Sequence, residues 1–323
     1  MSRFRIVIAD YYYANQNAEN EEYKKLGDDV EIVDCTKLAS GGIKDPEKLI
    51  AYAADADALV VQFAVCNAEF IGRLRKCKVI ARYAIGVDTI DLKAAKAKGI
   101  YVANVPDYCI AEVANHAAAH ILNAVRKLSL SRDRLLAGTF RMDELHPVWR
   151  IEERTLCLLG FGNIARNLCG KMKPFFGRVV AYDPYFTRKE DYPDVYFLPL
   201  EEALACADVI SMHVPLMPST RNLLSDREFG CMKDGAVLVN TARGGLIDEQ
   251  AMLRALVSGK LGFCGLDVLN TEDFSSSPFL RHPNVCLTPH VGWCSEEATT
   301  ELQRKTAANV VAALLEGKPV YHV

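Results

Sequence analysis

Short apolar, β-branched runs recur along this chain with just enough sequence between them for one helix each. Arg5 to Ala9, Val30 to Val33, Ala58 to Val61, Lys78 to Arg82 and Ile100 to Ala103 are such runs, and Pro46 to Ala54 and Leu92 to Lys98 carry helical patterns among them. A strand that is followed by a helix returns to its sheet as a parallel neighbour, and a parallel sheet needs helices on both faces. From Leu156 the rhythm restarts, with strands expected near 156–160, 179–183, 208–213, 236–240, 262–267 and 285–288. The expected class is therefore α/β, with two doubly wound parallel sheets, the second having the six-strand rhythm of a Rossmann sheet. At 323 residues the chain also exceeds the length, about 250 to 300 residues, at which one core stops growing.

Two longer helices stand out. Val113, Ala114, Ala117, Ala118, Ile121, Leu122 and Val125 recur at three- and four-residue spacing, with Glu112 in the first turn, and predict a helix from about Ala111 to Lys127. Its apolar stripe is wide enough to be buried, a subunit interface being one place for it. A last amphipathic helix is expected from about Ser295 to Glu316, closed by Gly317 and Pro319.

Composition narrows the ligand. A net charge of −3 offers no footprint for nucleic acid or an anionic membrane surface, which leaves a small molecule. The 11 cysteines are odd in number, scattered, and never at Cys-x-x-Cys spacing, so they read as small hydrophobes of a reducing cytoplasm and no metal site is expected. His116 and His120 lie one helical turn apart, yet no HExxH pattern or third ligand accompanies them, and helix packing is the expectation. The apolar stretch at the amino terminus is too short for a signal core or a membrane span.

Gly160-Phe161-Gly162-Asn163-Ile164-Ala165 follows the apolar run Leu156 to Leu159 and opens a helical pattern that continues to Phe176. In that context Gly160 permits the tight turn and Gly162 lets backbone N–H groups approach a pyrophosphate at a helix amino terminus. Ala165 takes the third glycine's place. Asp183 ends the next run, where a carboxylate accepts from both ribose hydroxyls and repels a 2′-phosphate, so NAD is expected rather than NADP. A glycine turn or a strand-end aspartate alone is ordinary. Both together at this spacing imply a cofactor.

Arg243, Glu272 and His290 each follow an expected strand of the second sheet, and in an open parallel sheet ligands bind beyond the carboxyl ends of strands. Arg243 offers a planar five-donor fork for a carboxylate and a neighbouring carbonyl. His290 can give or take a proton near neutral pH, and a Glu272 carboxylate on its imidazole would favour the charged form. Singly, these are a surface ion pair, a solvated turn and a loop cap. Jointly, at one edge of a nucleotide sheet, they describe hydride transfer to a 2-oxo acid.

With those residues in view, the chain resembles the D-2-hydroxyacid dehydrogenase family over essentially its whole length. Val239-Asn240-Thr241-Ala242-Arg243-Gly244-Gly245-Leu246-Ile247-Asp248 matches the family's arginine signature, Gly265-Leu266-Asp267-Val268 followed by Glu272 its glutamate segment, and Thr288-Pro289-His290 its histidine segment. The resemblance implies that Arg243 binds substrate, that His290 is the acid/base supported by Glu272, and that Asp267 meets the nicotinamide carboxamide. It extends the cofactor contacts to Asn163, Ile164, Val214, Pro215, Thr220, Thr241 and Ala242, with Arg243 and His290 also at the cofactor. It implies a flavodoxin-like substrate domain, residues 1–102 with 295–323, interrupted by a Rossmann NAD-binding domain, residues 103–294, and a homodimer. Within the family the likeness is to the C-terminal-binding-protein branch, through Trp293 and Asp273-Phe274-Ser275.

Arg82-Tyr83-Ala84-Ile85-Gly86-Val87-Asp88 resembles the loop whose amides hold the substrate carboxylate, with Ala84 where the family has glycine. A positive φ there would strain Ala84. Trp293 is placed to wall the substrate pocket or to pack in the core, and Tyr11-Tyr12-Tyr13 to face the cleft or pack in its loop. The expected function is NAD-dependent interconversion of a small 2-oxo acid and its D-2-hydroxy acid. Glu272 with His290 argues against formate oxidation, and the lack of a basic cluster or appended domain after Val323 against phosphoglycerate oxidation. The alternative is an NAD(H)-sensing scaffold of the co-repressor kind with little turnover.

Overall fold

The computed structural model describes every residue except Met1, Ser2, Phe140, His146 and Glu272. It divides into two compact units, Met1–Tyr108 with Ser295–Val323, and Cys109–Cys294.

In the first unit the strands are β1 (Phe4–Ile8), β2 (Val30–Asp34), β3 (Ala58–Val61), β4 (Val79–Arg82) and β5 (Tyr101–Ala103). They pair in parallel in the order β2-β1-β3-β4-β5, the flavodoxin-like order. Every residue of β3 and β4 is buried, as central parallel strands covered on both faces require. The early helices are α1 (Asn17–Tyr23), α2 (Pro46–Ala53), α3 (Ala68–Arg73) and α4 (Leu92–Ala97). Asp45, Asn67 and Asp91 start α2, α3 and α4 by accepting backbone N–H groups, each cap contributing about 1 kcal/mol. Leu49, Phe70, Ile71 and Leu74 are buried against this sheet, each contributing roughly 1.5–3 kcal/mol.

The second unit contains α5 (Ile110–Arg126), α6 (Leu128–Leu136), β6 (Thr155–Leu159), α7 (Asn163–Met172), β7 (Arg178–Tyr182), β8 (Val195–Phe197), α8 (Leu200–Cys206), β9 (Val209–Met212), α9 (Asp226–Cys231), β10 (Ala236–Asn240), α10 (Glu249–Val257), β11 (Leu261–Leu266) and β12 (Val285–Leu287). The chain then re-enters the first unit as α11 (Glu296–Leu315), capped by Ser295 and packed on α1 and β4. The second sheet is parallel in the order β12-β11-β10-β9-β6-β7-β8, which counted from β6 is the Rossmann order with one further strand. Alternate residues of β6 feed opposite cores. Cys157 and Leu159 meet α8, α9 and α10, whereas Leu156 and Leu158 meet α5 and α7.

Three features differ from the sequence expectation. Edge strand β8 is three residues long with a half-exposed Tyr196, too short for periodicity to register. Lys127 adopts a left-handed conformation (φ 56°), so a new helix, α6, begins where the sequence suggested only an end. The wide stripe of α5 is taken up by its own unit, against α7, β10 and β11, and so gives no support for a subunit interface. No described helix is long and apolar enough to cross a membrane.

Candidate active site

Strand register aligns the site. Tyr182, Leu159, Met212, Asn240, Leu266 and Leu287 are successive Cα partners across six strands of the second sheet. The residues immediately after them are Asp183, Gly160, His213, Thr241, Asp267 and Thr288. One row across the carboxyl edge, about 24 Å at normal strand spacing, therefore carries most of the residues singled out above.

At the point where the strand order reverses, between β6 and β9, Gly160 has φ +88° and donates its N–H to the carbonyl of Tyr182. A Cβ on it would lie 2.8 Å from the backbone of His213, so no other residue fits. Gly162 has open space where a Cβ would stand, and the first amides of α7, at Asn163 and Ile164, have no partner within their own helix. Asp183 accepts from Phe161 N–H through Oδ2 (2.8 Å) and from the N–H groups of Tyr185 and Phe186 through Oδ1 (2.9 and 3.1 Å). It thus fastens the glycine turn to the end of β7, and Oδ2 keeps capacity for a further donor. Val214 is buried beside Gly160, and the Thr220 hydroxyl donates to the carbonyl of Pro215 (2.6 Å), closing the loop after β9.

After β10, the Asn240 side chain accepts from Ala242 N–H (3.0 Å) and donates to the carbonyl of Arg243 (2.9 Å), folding the turn that presents Arg243. Arg243 is half-buried and donates to the carbonyl of Ala242. Gly244 follows because a Cβ there would sit 2.0 Å from the backbone of Leu269. The hydroxyl of Thr241 is buried with no hydrogen-bond partner.

Asp267, 1% exposed, organises the turn after β12. Its carbonyl accepts from His290 N–H (2.9 Å), while its carboxylate accepts from Thr288 Oγ1 (2.6 Å), Val291 N–H (3.0 Å) and Gly292 N–H (2.8 Å). Burial raises its pKa, but the hydrogen bonds from His116, Thr288, Gly292 and Val291 outweigh that and leave it below the usual range. His290 itself has φ 54°, a conformation that His tolerates better than most residues, and Trp293 Nε1 donates to its carbonyl (2.9 Å). Trp293 thereby braces the backbone of the expected acid/base. Glu272, its expected partner, lies outside the described residues.

Three histidines belong to this region beyond those expected to act. His213 takes the row position after β9 with Nε2 2.9 Å from Ser211 Oγ, and burial pushes its pKa down to about 4. Its place one residue past a strand is the signal that points to it. Nε2 of His116 is 2.9 Å, and Nε2 of His120 3.2 Å, from Thr288 Oγ1, so these helix residues do more than pack. Among the described residues no group of three or more metal-binding side chains occurs.

In the first unit the loop 84–87 is held by its carbonyls. Those of Ala84, Ile85 and Gly86 accept from Val105 N–H (3.0 Å), Asn104 Nδ2 (2.7 Å) and Arg82 Nη1 (2.7 Å). In a trans peptide the following N–H points the opposite way, so the amides of Ile85, Gly86 and Val87 face away from the body of the loop. That is a set of donors suited to an anion. Ala84 is not among the positive-φ residues, so the strain considered for it does not arise. Tyr11 and Tyr13 stack, Tyr13 meets Tyr83 edge-on, and Tyr13, Asn15, Asn17, Thr300 and Gln303 line a cavity of about 300 Å³.

The second unit fits a dinucleotide on three counts: the open face at Gly162, the orphaned Thr241 hydroxyl and the remaining acceptor capacity on Asp267 Oδ2. Residues 118–292 match the family described as D-isomer specific 2-hydroxyacid dehydrogenase, NAD binding domain. The chain is 35% identical over 291 residues to D-3-phosphoglycerate dehydrogenase of Mycobacterium bovis, covering 90% of this chain and 54% of that one. It is 35% identical over 276 residues to hydroxypyruvate reductase of Thermotoga maritima, covering 84% and 88%. A glyoxylate reductase structure from Paecilomyes thermophila superposes with a TM-score of 0.85 at 27% identity, covering 100% and 98%. The chain spans about half the length of the phosphoglycerate dehydrogenases it matches. With its Rossmann unit matched as an NAD-binding domain and its likeness to the reductases running through both units, the chain belongs to the D-isomer specific 2-hydroxyacid dehydrogenase family.

Proposed function

We propose that the protein interconverts a small 2-oxo acid and its D-2-hydroxy acid with NAD(H). The observation that carries this reading is the single row along the carboxyl edge of the sheet, in which Thr241, Asp267 and the start of the His290 turn stand two, three and four strands from the glycine turn at Gly160. Bound NADH supplies the hydride that adds to the substrate's carbonyl carbon. Arg243 orients the carboxylate and polarises the carbonyl, and the His290 imidazolium gives its proton to the oxygen as negative charge develops there. In the reverse direction His290 takes that proton back. Glu272 would hold His290 in the charged form. Within the first unit the amides following Ala84, Ile85 and Gly86 are donors suited to a carboxylate, and within the second Trp293 fixes the His290 turn. Asp183 accepts from the ribose, which favours NAD.

Exposed Leu128, Leu135 and Leu136 on α6 and exposed Met142 support a homodimer built on this segment, since Leu128 and Leu135 share one helix face. Most of the cysteines are buried as small hydrophobes, the use of cysteine that suits the proposed cytoplasmic location.

The test is NADH oxidation followed at 340 nm with glyoxylate, pyruvate, hydroxypyruvate and branched or aromatic 2-oxo acids. Turnover is expected with at least one acid, and His290→Ala should lower kcat by roughly 100-fold or more, the share of a positioned acid/base. Tight NADH binding without turnover of any acid would replace the enzyme by a cofactor-sensing scaffold.

A further inference from the structure

His116 and His120 converge on one hydroxyl that the proposed chemistry leaves unexplained. Thr288 Oγ1 lies 2.9 Å from Nε2 of His116, 3.2 Å from Nε2 of His120 and 2.6 Å from Oδ1 of Asp267. A hydroxyl has one proton to give and two lone pairs to accept with, whereas a carboxylate only accepts. The other acceptor near the hydroxyl, the carbonyl of Leu266, is 3.5 Å away. The Thr288 proton therefore belongs to Asp267, and both lone pairs must receive N–H groups. Each histidine has to carry its proton on Nε2.

Space has been cleared for this arrangement from both sides. A Cβ on Gly265, in β11, would stand 2.8 Å from the Cβ of His120, and one on Gly292 would stand 2.9 Å from Asp267 Oδ2 and 3.2 Å from the ring of His116. The two rings meet edge to face at 4.7 Å, and His120 is 3% exposed. The chain of donors ends on the carboxylate that also binds the amides of Val291 and Gly292. Oδ1 then receives Thr288 and Val291, with His116 Nε2 3.3 Å away and its proton given to Thr288, while Oδ2 receives Gly292 and has a lone pair left.

We infer that His116, His120 and Thr288 form a one-way donor chain that positions Asp267, keeping one oxygen saturated and the other open to an N–H of the cofactor, and that holds the His290 turn in register with it. All three are positioning residues. The inference rests on the reading that Asp267 meets the nicotinamide carboxamide.

The experiment compares binding of NADH and of reduced 3-acetylpyridine adenine dinucleotide, which lacks the carboxamide N–H, by fluorescence titration of the wild-type protein, His116→Gln and His116→Phe. Wild type should prefer NADH roughly tenfold, about what one hydrogen bond to a charged acceptor supplies. His116→Phe should lose most of that preference. His116→Gln, which keeps a donor near the Nε2 position, should retain it. A full preference in His116→Phe would overturn the chain and leave the Asp267 reading standing, whereas equal binding of the two dinucleotides by wild type would overturn both. Should His116→Phe fail to fold, ¹⁵N-histidine NMR of the wild-type protein still decides. Nε2–H at both histidines is expected, and a neutral Nδ1–H tautomer at either would overturn the chain.

Discussion

Gly160 and Gly162 stand two residues apart in one motif and do different physical work. Gly160 combines φ +88° with backbone atoms of His213 and Val214 less than 3 Å from any Cβ, so Gly160→Ala must move the turn. Left-handed strain and overpacking together predict a loss of roughly 2–4 kcal/mol in urea unfolding. Gly162 caps α7 with open space around it, so Gly162→Ala should change stability by less than about 1 kcal/mol while weakening NADH binding clearly. Equal stability loss in the two variants would refute this division of roles. Both glycines, Asp183 and Arg243 were legible in the sequence because turn chemistry is local: a strand end, a residue with a permitted φ and a side chain two or three positions on. The φ of 54° at His290 was not legible. The His290 N–H donates both to the local Thr288 carbonyl and to the distant Asp267 carbonyl, and Trp293 donates to the His290 carbonyl, so the turn depends on partners beyond the tripeptide.

Among the elements, α5 shows how far periodicity reaches. Its apolar spacing predicted the helix to within a residue or so at either end, yet that pattern could not tell burial within one unit from burial between subunits. Nor could it show that His120, on the same face, would be buried among polar partners. Burial, with the His116 charge adding to it, pushes the pKa of His120 down from 6.5 to about 4, so the folded chain holds it neutral. Between those two values the unfolded chain binds more protons, so stability is full above about pH 6.5 and falls as pH drops toward 4. The loss approaches about 3 kcal/mol from this group, and the half-buried His213, its pKa lowered as well, acts in the same direction. Asp267, with its pKa lowered, adds a loss only below the ordinary carboxylate range. Urea unfolding at pH 7.5, 5.5 and 4.5 should show this decline, and His120→Gln should show less of it. Identical pH profiles for the two proteins would mean that His120 is not the titrating group. Helix α6 escaped the sequence reading for the opposite reason. Leu130 is buried but its leucines at 128, 135 and 136 are exposed, so its pattern carries no apolar stripe facing a core.

For the whole molecule, those leucines make the assembly testable. Leu135→Lys with Leu136→Lys should shift the sedimentation coefficient from dimer to monomer without altering the thermal midpoint of the unit by more than a few degrees, since exposed side chains contribute little to folding. A wild-type protein that sediments as a monomer would end the dimer proposal. The sequence alone determined the class of fold, most of the strands, the dinucleotide turn and the chemical character of Arg243 and His290, because hydrophobic period and turn preference are written in adjacent residues. Only the tertiary structure decided that Asp183, Gly160, His213, Thr241, Asp267 and Thr288 stand in one row. Periodicity says which face of a strand is buried, but strand neighbours are chosen by how the crossover helices pack, and β6 pairs with β9, more than 50 residues further along the chain. The same packing brings α5 against β11, and so carries two histidines to a threonine roughly 170 residues away.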